Sequence, residues 1–113
     1  MKFGLQLYTL RDSYKTAEEF LAVLKKVKAL GIDGVEFAGY AGLSAEELKA
    51  TLAEIGLLPL ASHNSVDALE NDLAAVLSYN HTLGCKNVVC AFSPTSTAGD
   101  MERLERVLKA AQL

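Results

Sequence analysis

What this sequence lacks narrows it first. It has no apolar run near the roughly 20 residues that span a bilayer; the stretch from Ile55 to Ala61 is interrupted by Gly56 and Pro59. The opening, Met1-Lys2-Phe3-Gly4, carries neither an apolar h-region nor a small-residue cleavage site, so no membrane partner and a cytoplasmic location are expected. Cysteine is scarce, with only Cys85 and Cys90. On an extended segment of about 3.3 Å per residue they stand about 16 Å apart. A disulfide needs Cα atoms within about 7 Å. No second Cys/His cluster suggests a structural zinc site, so both read as buried, reduced thiols.

The familiar catalytic signatures are also missing. There is no G-x-S-x-G, no H-E-x-x-H and no phosphate loop. No close pair of carboxylates offers an acid and a base. The formal net charge is −3, and Lys25, Lys26, Lys28, Arg103, Arg106 and Lys109 are interspersed with acids on expected outer helices. That balance argues against nucleic acid, whose binding depends on clustered cations.

What is present is a globular composition, 50% hydrophobic and 22% charged over 113 residues. It fits a single domain, residues 1–113, with one core. Strand one is expected over Lys2 to Leu10, where Phe3, Leu5 and Leu7 alternate with Gly4, Gln6 and Tyr8. Thr16-Ala17-Glu18-Glu19 is a capping box that opens helix one, and Ser44-Ala45-Glu46-Glu47 opens helix two. Phe20, Val23, Leu24, Val27 and Leu30 recur at helical spacing, as do Leu48, Leu52 and Ile55; Gly31 and Gly56 end the two helices. Val35 to Ala38 reads as strand two, and Leu58 to His63 as strand three. Asp67 to Leu83 reads as helix three with Asp67 as N-cap and Leu69, Leu73, Val76 and Leu77 inward. Asn87 to Phe92 reads as strand four. Helix four begins near Gly99-Asp100, with Met101, Leu104, Val107, Leu108 and Ala111 on one face.

Strands therefore recur about every 25–30 residues, the length of one βα unit, and the sheet should be parallel. Four polar-tipped strands suit a (β/α)4 half of an eight-stranded TIM (β/α)8 barrel. The alternative is an open, flavodoxin-like sheet, but Tyr8-Thr9-Leu10-Arg11-Asp12 stands where its Gly-rich fingerprint would be. The chain stops inside the fourth helix, at Ala110-Ala111-Gln112-Leu113, so an incomplete site with two raw sheet edges is expected.

Function in such folds collects at the C-terminal strand ends. Strand one delivers Gln6 and Tyr8, strand two Glu36, strand three His63 with Asn64 beside it, and strand four only Ala91-Phe92-Ser93. Glu36 sits between Val35 and Phe37, so its carboxylate should point inward, where a charge needs a cation, a metal or several donors. Two readings stand for it: a structural carboxylate, or a ligand-facing one. His63 can bind a divalent metal, orient a hydroxyl or move a proton, or be a satisfied structural residue. Tyr8 is either a sugar-stacking ring or a core aromatic with a wet tip. Gln6, a layer deeper, suits a hydrogen bond within the barrel. His81 and Asp33 read as structural or surface residues.

Gly4-Leu5-Gln6-Leu7-Tyr8-Thr9-Leu10-Arg11-Asp12, Gly31-Ile32-Asp33-Gly34-Val35-Glu36, Ala61-Ser62-His63 and Leu83-Gly84-Cys85-Lys86-Asn87-Val88-Val89 together resemble the xylose isomerase-like barrel superfamily. They most resemble its sugar phosphate isomerase/epimerase branch. The resemblance implies a barrel that binds a divalent metal (Mn, Mg, Co or Zn) and moves a proton between neighbouring carbons of a ketose or polyol. It implies that most metal-binding and proton-transferring residues lie on strands five to eight. What carries over is the first-half wall: Tyr8, Glu36 and His63 resemble positions that face the substrate or stand just behind those that do, and Asn64, beside His63, is a further substrate-binding candidate. No catalytic residue or metal ligand is assigned here. In the endonuclease branch the strand-three histidine binds zinc, but the strand-four histidine found there has no counterpart in Val88-Val89-Cys90-Ala91-Phe92. The expected partners are a small carbohydrate-like substrate and either a second copy or a complementary half-barrel. The alternative function is a non-catalytic half-barrel that self-associates and binds a small polar ligand.

Overall fold

Capped helices alternate with short strands, and the computed structural model describes residues 2–90 and 98–111 of the chain. The elements are β1 (Gly4–Gln6), a 3-10 helix (Leu7–Ser13), α1 (Ala17–Ala29), β2 (Gly34–Phe37), α2 (Ala45–Ile55), β3 (Leu58–Asn64), α3 (Val66–Asn71), α4 (Leu73–Leu83), β4 (Val88–Cys90) and α5 (Ala98–Ala111). The four strands form one parallel sheet in the order β1-β2-β3-β4. Each neighbour in space is a neighbour in sequence, so the order never reverses as it does in a doubly wound sheet. This is an arc of a barrel, and the flavodoxin-like alternative is excluded.

The helices begin where the sequence supplies side-chain acceptors. Ser44 and Glu47 form a complete capping box, each side chain meeting the other's backbone amide at 3.2 Å. At α1 the box is only half closed. Thr16 Oγ1 accepts from the Glu19 amide, but the Glu19 carboxylate accepts from the Lys15 amide rather than from Thr16. Gly56 and Gly84 end α2 and α4 in the left-handed region, at φ 87° and 84°, which glycine enters without a Cβ clash.

Phe20, Leu24, Val27, Val35, Phe37 and Leu48 are all but completely buried between the sheet's outer face and the helices. Each such side chain contributes roughly 1.5–3 kcal/mol relative to leaving it in water. Phe37 of β2 continues into Tyr40, whose ring stacks on Tyr79 of α4 at 4.0 Å. Tyr79 Oη donates to the Leu43 carbonyl at 2.8 Å, tying the loop after β2 to α4.

Several expectations are corrected. Strand one ends at Gln6, because Leu7 turns into the core and the chain winds into the 3-10 helix; Phe3 is left 56% exposed. Helix three is two helices, α3 and α4, broken at Asp72 (φ −131°, ψ 34°). The N-cap of α3 is Ser65, which accepts from the Ala68 amide at 3.1 Å, so Asp67 is left for another task. Leu77 stands exposed rather than inward. On α5 Val107 is buried, whereas Met101 and Leu108 face solvent. The residues expected to end strand four, Ala91-Phe92-Ser93, lie outside the described residues.

Candidate functional site

Two strands open with the same three-residue pattern, Gly4-Leu5-Gln6 and Gly34-Val35-Glu36, and the sheet pairs them glycine to glycine and polar to polar. Val35 and Phe37 point into the core on the helix side. Alternation along a strand then directs Gly34 and Glu36 to the opposite, inner face. A Cβ added to Gly34 would come within 2.7 Å of Leu60, and one on Gly4 would meet the same side chain at 2.7 Å. Leu60 of β3 thus lies across both glycines as an apolar floor, with the polar positions one layer above.

Counting by twos from Leu60 would place Ser62 on the inner face and turn His63 toward the helices. The structure does the opposite. β3 carries an irregularity: Val35 pairs with Pro59 but Glu36 pairs with Ala61, leaving one extra residue between them. The alternation resets. Ser62 is buried at 1% exposure opposite Phe37, and His63 emerges on the inner face. Bulges commonly re-aim a side chain in this way beside functional sites.

There His63 Nε2 lies 2.8 Å from Glu36 Oε1 and 3.3 Å from Gln6 Nε2. The histidine side chain is 20% exposed and the glutamate 40%. An ionised Glu36 can only accept, so the imidazole carries its proton on Nε2 and donates it to Oε1. The Gln6 amide is compatible with that proton when its oxygen is turned to the ring. Gln6 closes β1, while Glu36 and His63 are next to last in β2 and β3. The row therefore lies at the C-terminal ends of three consecutive strands, where ligands of parallel α/β folds bind.

The other two candidates lie apart from this row. Tyr8 is in the 3-10 helix and 54% exposed, with the Arg11 guanidinium 4.3 Å above its ring and Arg11 Nη1 donating to its carbonyl at 3.0 Å. Asn64 folds back on its own strand, donating from Nδ2 to the Ser62 carbonyl and hydroxyl. The structure thus joins Glu36 and His63 to each other and to Gln6. The matched Gly-x-polar triplets of β1 and β2 are the sequence signal for that row; the bulge that completes it has none as plain.

A second polar cluster fixes α5. Arg103 donates to Glu70 and Asp67 of α3, and Arg106 Nη2 donates to Glu70 Oε1 at 2.7 Å. These two guanidiniums, Arg103 foremost, hold the Glu70 carboxyl below its usual range. Asp67 is therefore an ion-pair partner. Asp33 likewise has a structural task, accepting from the Phe3 amide at 2.9 Å.

Among the described residues no group of three or more His, Cys, Asp or Glu could hold a metal ion. Glu36 and His63 are two donors, fewer than the three protein ligands of a catalytic zinc site. The donors that the described residues bring together do not by themselves fit a catalytic divalent-metal site. No described helix is long and apolar enough to cross a membrane.

These features define a class: an arc of parallel βα units with a polar row on its inner face. Among solved structures, a "xylose isomerase-like TIM barrel/4-hydroxyphenylpyruvate dioxygenase fusion protein" is similar to this chain, with a TM-score of 0.63 and 20% sequence identity. The match covers 98% of this chain and 21% of that one, so the chain spans about a fifth of that protein's length. At this identity the likeness is one of fold alone: a (β/α)4 arc of a TIM barrel. No protein-family model and no curated protein matches the chain.

Proposed function

We propose that this chain is the substrate-side wall of a sugar phosphate isomerase/epimerase-like barrel, and that the Gln6–His63–Glu36 row binds a small ketose or related polyol. One observation carries the reading: three polar side chains, delivered by three consecutive strands, are bonded in a row on the inner face. Glu36 engages His63 through Oε1, and its part-exposed carboxylate leaves an oxygen for a ligand hydroxyl. Gln6 offers an amide beside it. Carboxylate, imidazole and amide together match the mixed donors and acceptors of a polyol. A divalent metal belongs to the complete barrel in this reading, and a cytoplasmic location accompanies it.

Titration calorimetry with a panel of ketoses and their phosphates tests it. Wild type should bind at least one member. Glu36→Gln and His63→Ala should each weaken that binding by roughly ten- to a hundredfold, the worth of one hydrogen bond to a charged group. Their far-UV circular dichroism should be unchanged. A wild-type chain that binds none of the panel, or variants that bind equally well, would sink the proposal.

A second reading keeps the binding and drops the chemistry. It is favoured by the way Glu36 and His63 are bonded to one another rather than set on opposite sides of a ligand. Isomerase and epimerase assays with added Mn²⁺, and again with chelator, separate the two. Metal-dependent turnover supports the first reading, and binding without turnover supports the second.

A further inference from the structure

The row has a polarity, and one proton sets it. We propose that Gln6 is the specificity-determining residue of the row: the proton on His63 Nε2 turns the Gln6 amide so that its NH2 faces ligand, and Gln6 with Glu36 then reads a carbonyl beside a hydroxyl in one direction only. The proposal rests on reading the row as a ligand wall.

An ionised Glu36 is an acceptor only, so the Nε2 proton points to its Oε1, 2.8 Å away. A protonated ring nitrogen has no lone pair left to accept with. The Gln6 amide atom 3.3 Å from it is therefore the carbonyl oxygen, because an NH2 there would set donor against donor. That assignment sends the NH2 of Gln6 away from the ring. The Gln6 side chain makes no other hydrogen bond among the described residues, and neither does the second oxygen of Glu36. One donor and one acceptor thus remain for ligand. Both are within its reach, since Gln6 is exposed and the Glu36 side chain is 40% exposed.

Gln6 and Glu36 are register partners on adjacent strands. A strand spacing of about 4.8 Å sets their side chains next to each other. Below them Leu60 covers Gly4 and Gly34, so the apolar floor supplies no competing polar group. Oxygens on neighbouring carbons of one ligand fit such a pair. The oxygen over β1 must accept from Gln6, and the oxygen over β2 must donate to Glu36. A ketone oxygen only accepts, whereas a hydroxyl does either. A ketose is therefore held with its carbonyl over β1 and the adjacent hydroxyl over β2; the reverse placement would set the carbonyl against the Glu36 carboxylate. An alditol fits as well, since its hydroxyl over β1 can turn a lone pair to Gln6. The two ligand classes part when the polarity at Gln6 is reversed.

Titration calorimetry of wild type, Gln6→Glu and Gln6→Met tests this at about pH 8, well above the usual carboxylate range. The probes are D-fructose, D-tagatose, D-ribulose and D-xylulose, free and phosphorylated, each beside the alditol made by reducing its carbonyl. Gln6→Glu replaces the donor by an acceptor. A ketone oxygen cannot answer that acceptor, while an alditol hydroxyl turns to donate to it. The ketose-to-alditol affinity ratio should therefore fall at least about tenfold, the cost of an unmatched acceptor. Gln6→Met removes the donor and adds no acceptor, so it should weaken both ligands and leave their ratio within about threefold of wild type. In wild type the side-chain amide protons of Gln6 should shift in ¹⁵N–¹H spectra as a ketose binds. A ratio that Gln6→Glu leaves unmoved overturns the proposal. So does a ratio lowered equally by Gln6→Met, a Gln6→Glu chain that binds neither ligand, or amide protons that stay still. Failure here is distinguishable from failure of the binding reading: a chain that still binds a ketose through Glu36 and His63, with the ratio unmoved, loses only the role of Gln6. A wild-type chain that binds no ketose sinks both.

Discussion

Leu60 is placed so that two neighbouring strands must carry glycine. At Gly34 an added methyl would run into the whole branched end of Leu60, with three carbons within 3 Å, whereas at Gly4 it would meet only one terminal carbon. Gly34→Ala should therefore lower stability by about 1–3 kcal/mol, the usual penalty for overpacking. Gly4→Ala should lower it less, and Leu60→Ala should relieve the Gly34→Ala defect in a double mutant. Urea unfolding of the four proteins checks this; equal effects at the two glycines would contradict the placement. Tyr79 offers a second test. Burial, then the neighbouring Tyr40, Glu46 and Glu47, push its phenol up from 10.0 to about 12. A raised folded pKa means stability is complete below pH 10 and is lost as pH rises from 10 toward 12, because only the unfolded chain ionises there. Tyr79→Phe should flatten that part of the stability–pH curve; an unchanged slope would show that Tyr79 does not cause it.

At the scale of elements, β3 and α5 matter most. The extra residue in β3 turns His63 inward, and α5 docks on α3 through ion pairs as well as through buried Val107. Glu70 is held below its ordinary 4.5 by Arg103 first and Arg106 second. A lowered folded pKa gives stability that is present above pH 4.5 and lost as pH falls through the folded value. The docking of α5 on α3 should accordingly loosen below pH 4.5 and in high salt, where exposed ion pairs are screened. Hydrogen exchange along Met101–Lys109 reads this directly, and Glu70→Gln should bring the same loosening to neutral pH; protection in that variant equal to wild type would rule the clamp out. The sequence shows why these features differ in legibility. Capping at Ser44, the stops at Gly56 and Gly84, and the Gly-x-polar triplets depend on residues close together in the chain, and they can be read from it. The bulge in β3 depends on how Leu60 packs over glycines on two other strands. The break at Asp72 and the Arg103–Glu70 clamp likewise depend on tertiary partners. Strict alternation from Leu58 would have sent His63 to the wrong face, and only the register with β2 corrects it.

The whole molecule is an arc, and its order explains why the candidate residues meet. Because β1, β2 and β3 are adjacent in space as in sequence, Gln6, Glu36 and His63, far apart in the chain, end in one row. Tyr8 lies outside that row because β1 ends two residues earlier, so at this scale Tyr8→Ala should leave ketose affinity within about twofold of wild type, since surface changes away from a site have small effects. A tenfold loss measured by calorimetry would return Tyr8 to the site. The account as a whole turns on His63 meeting ligand from the inner face with its proton held on Nε2 by Glu36. Long-range ¹⁵N–¹H spectra of the imidazole, recorded while a bound ketose or ketose phosphate is titrated in, test that most directly. The expected result is a proton on Nε2 in the free protein and saturable shifts of the His63 ring on ligand addition, with the tautomer preference lost in Glu36→Gln. A ring protonated on Nδ1 alone, or one that stays still while ligand binds, would contradict it.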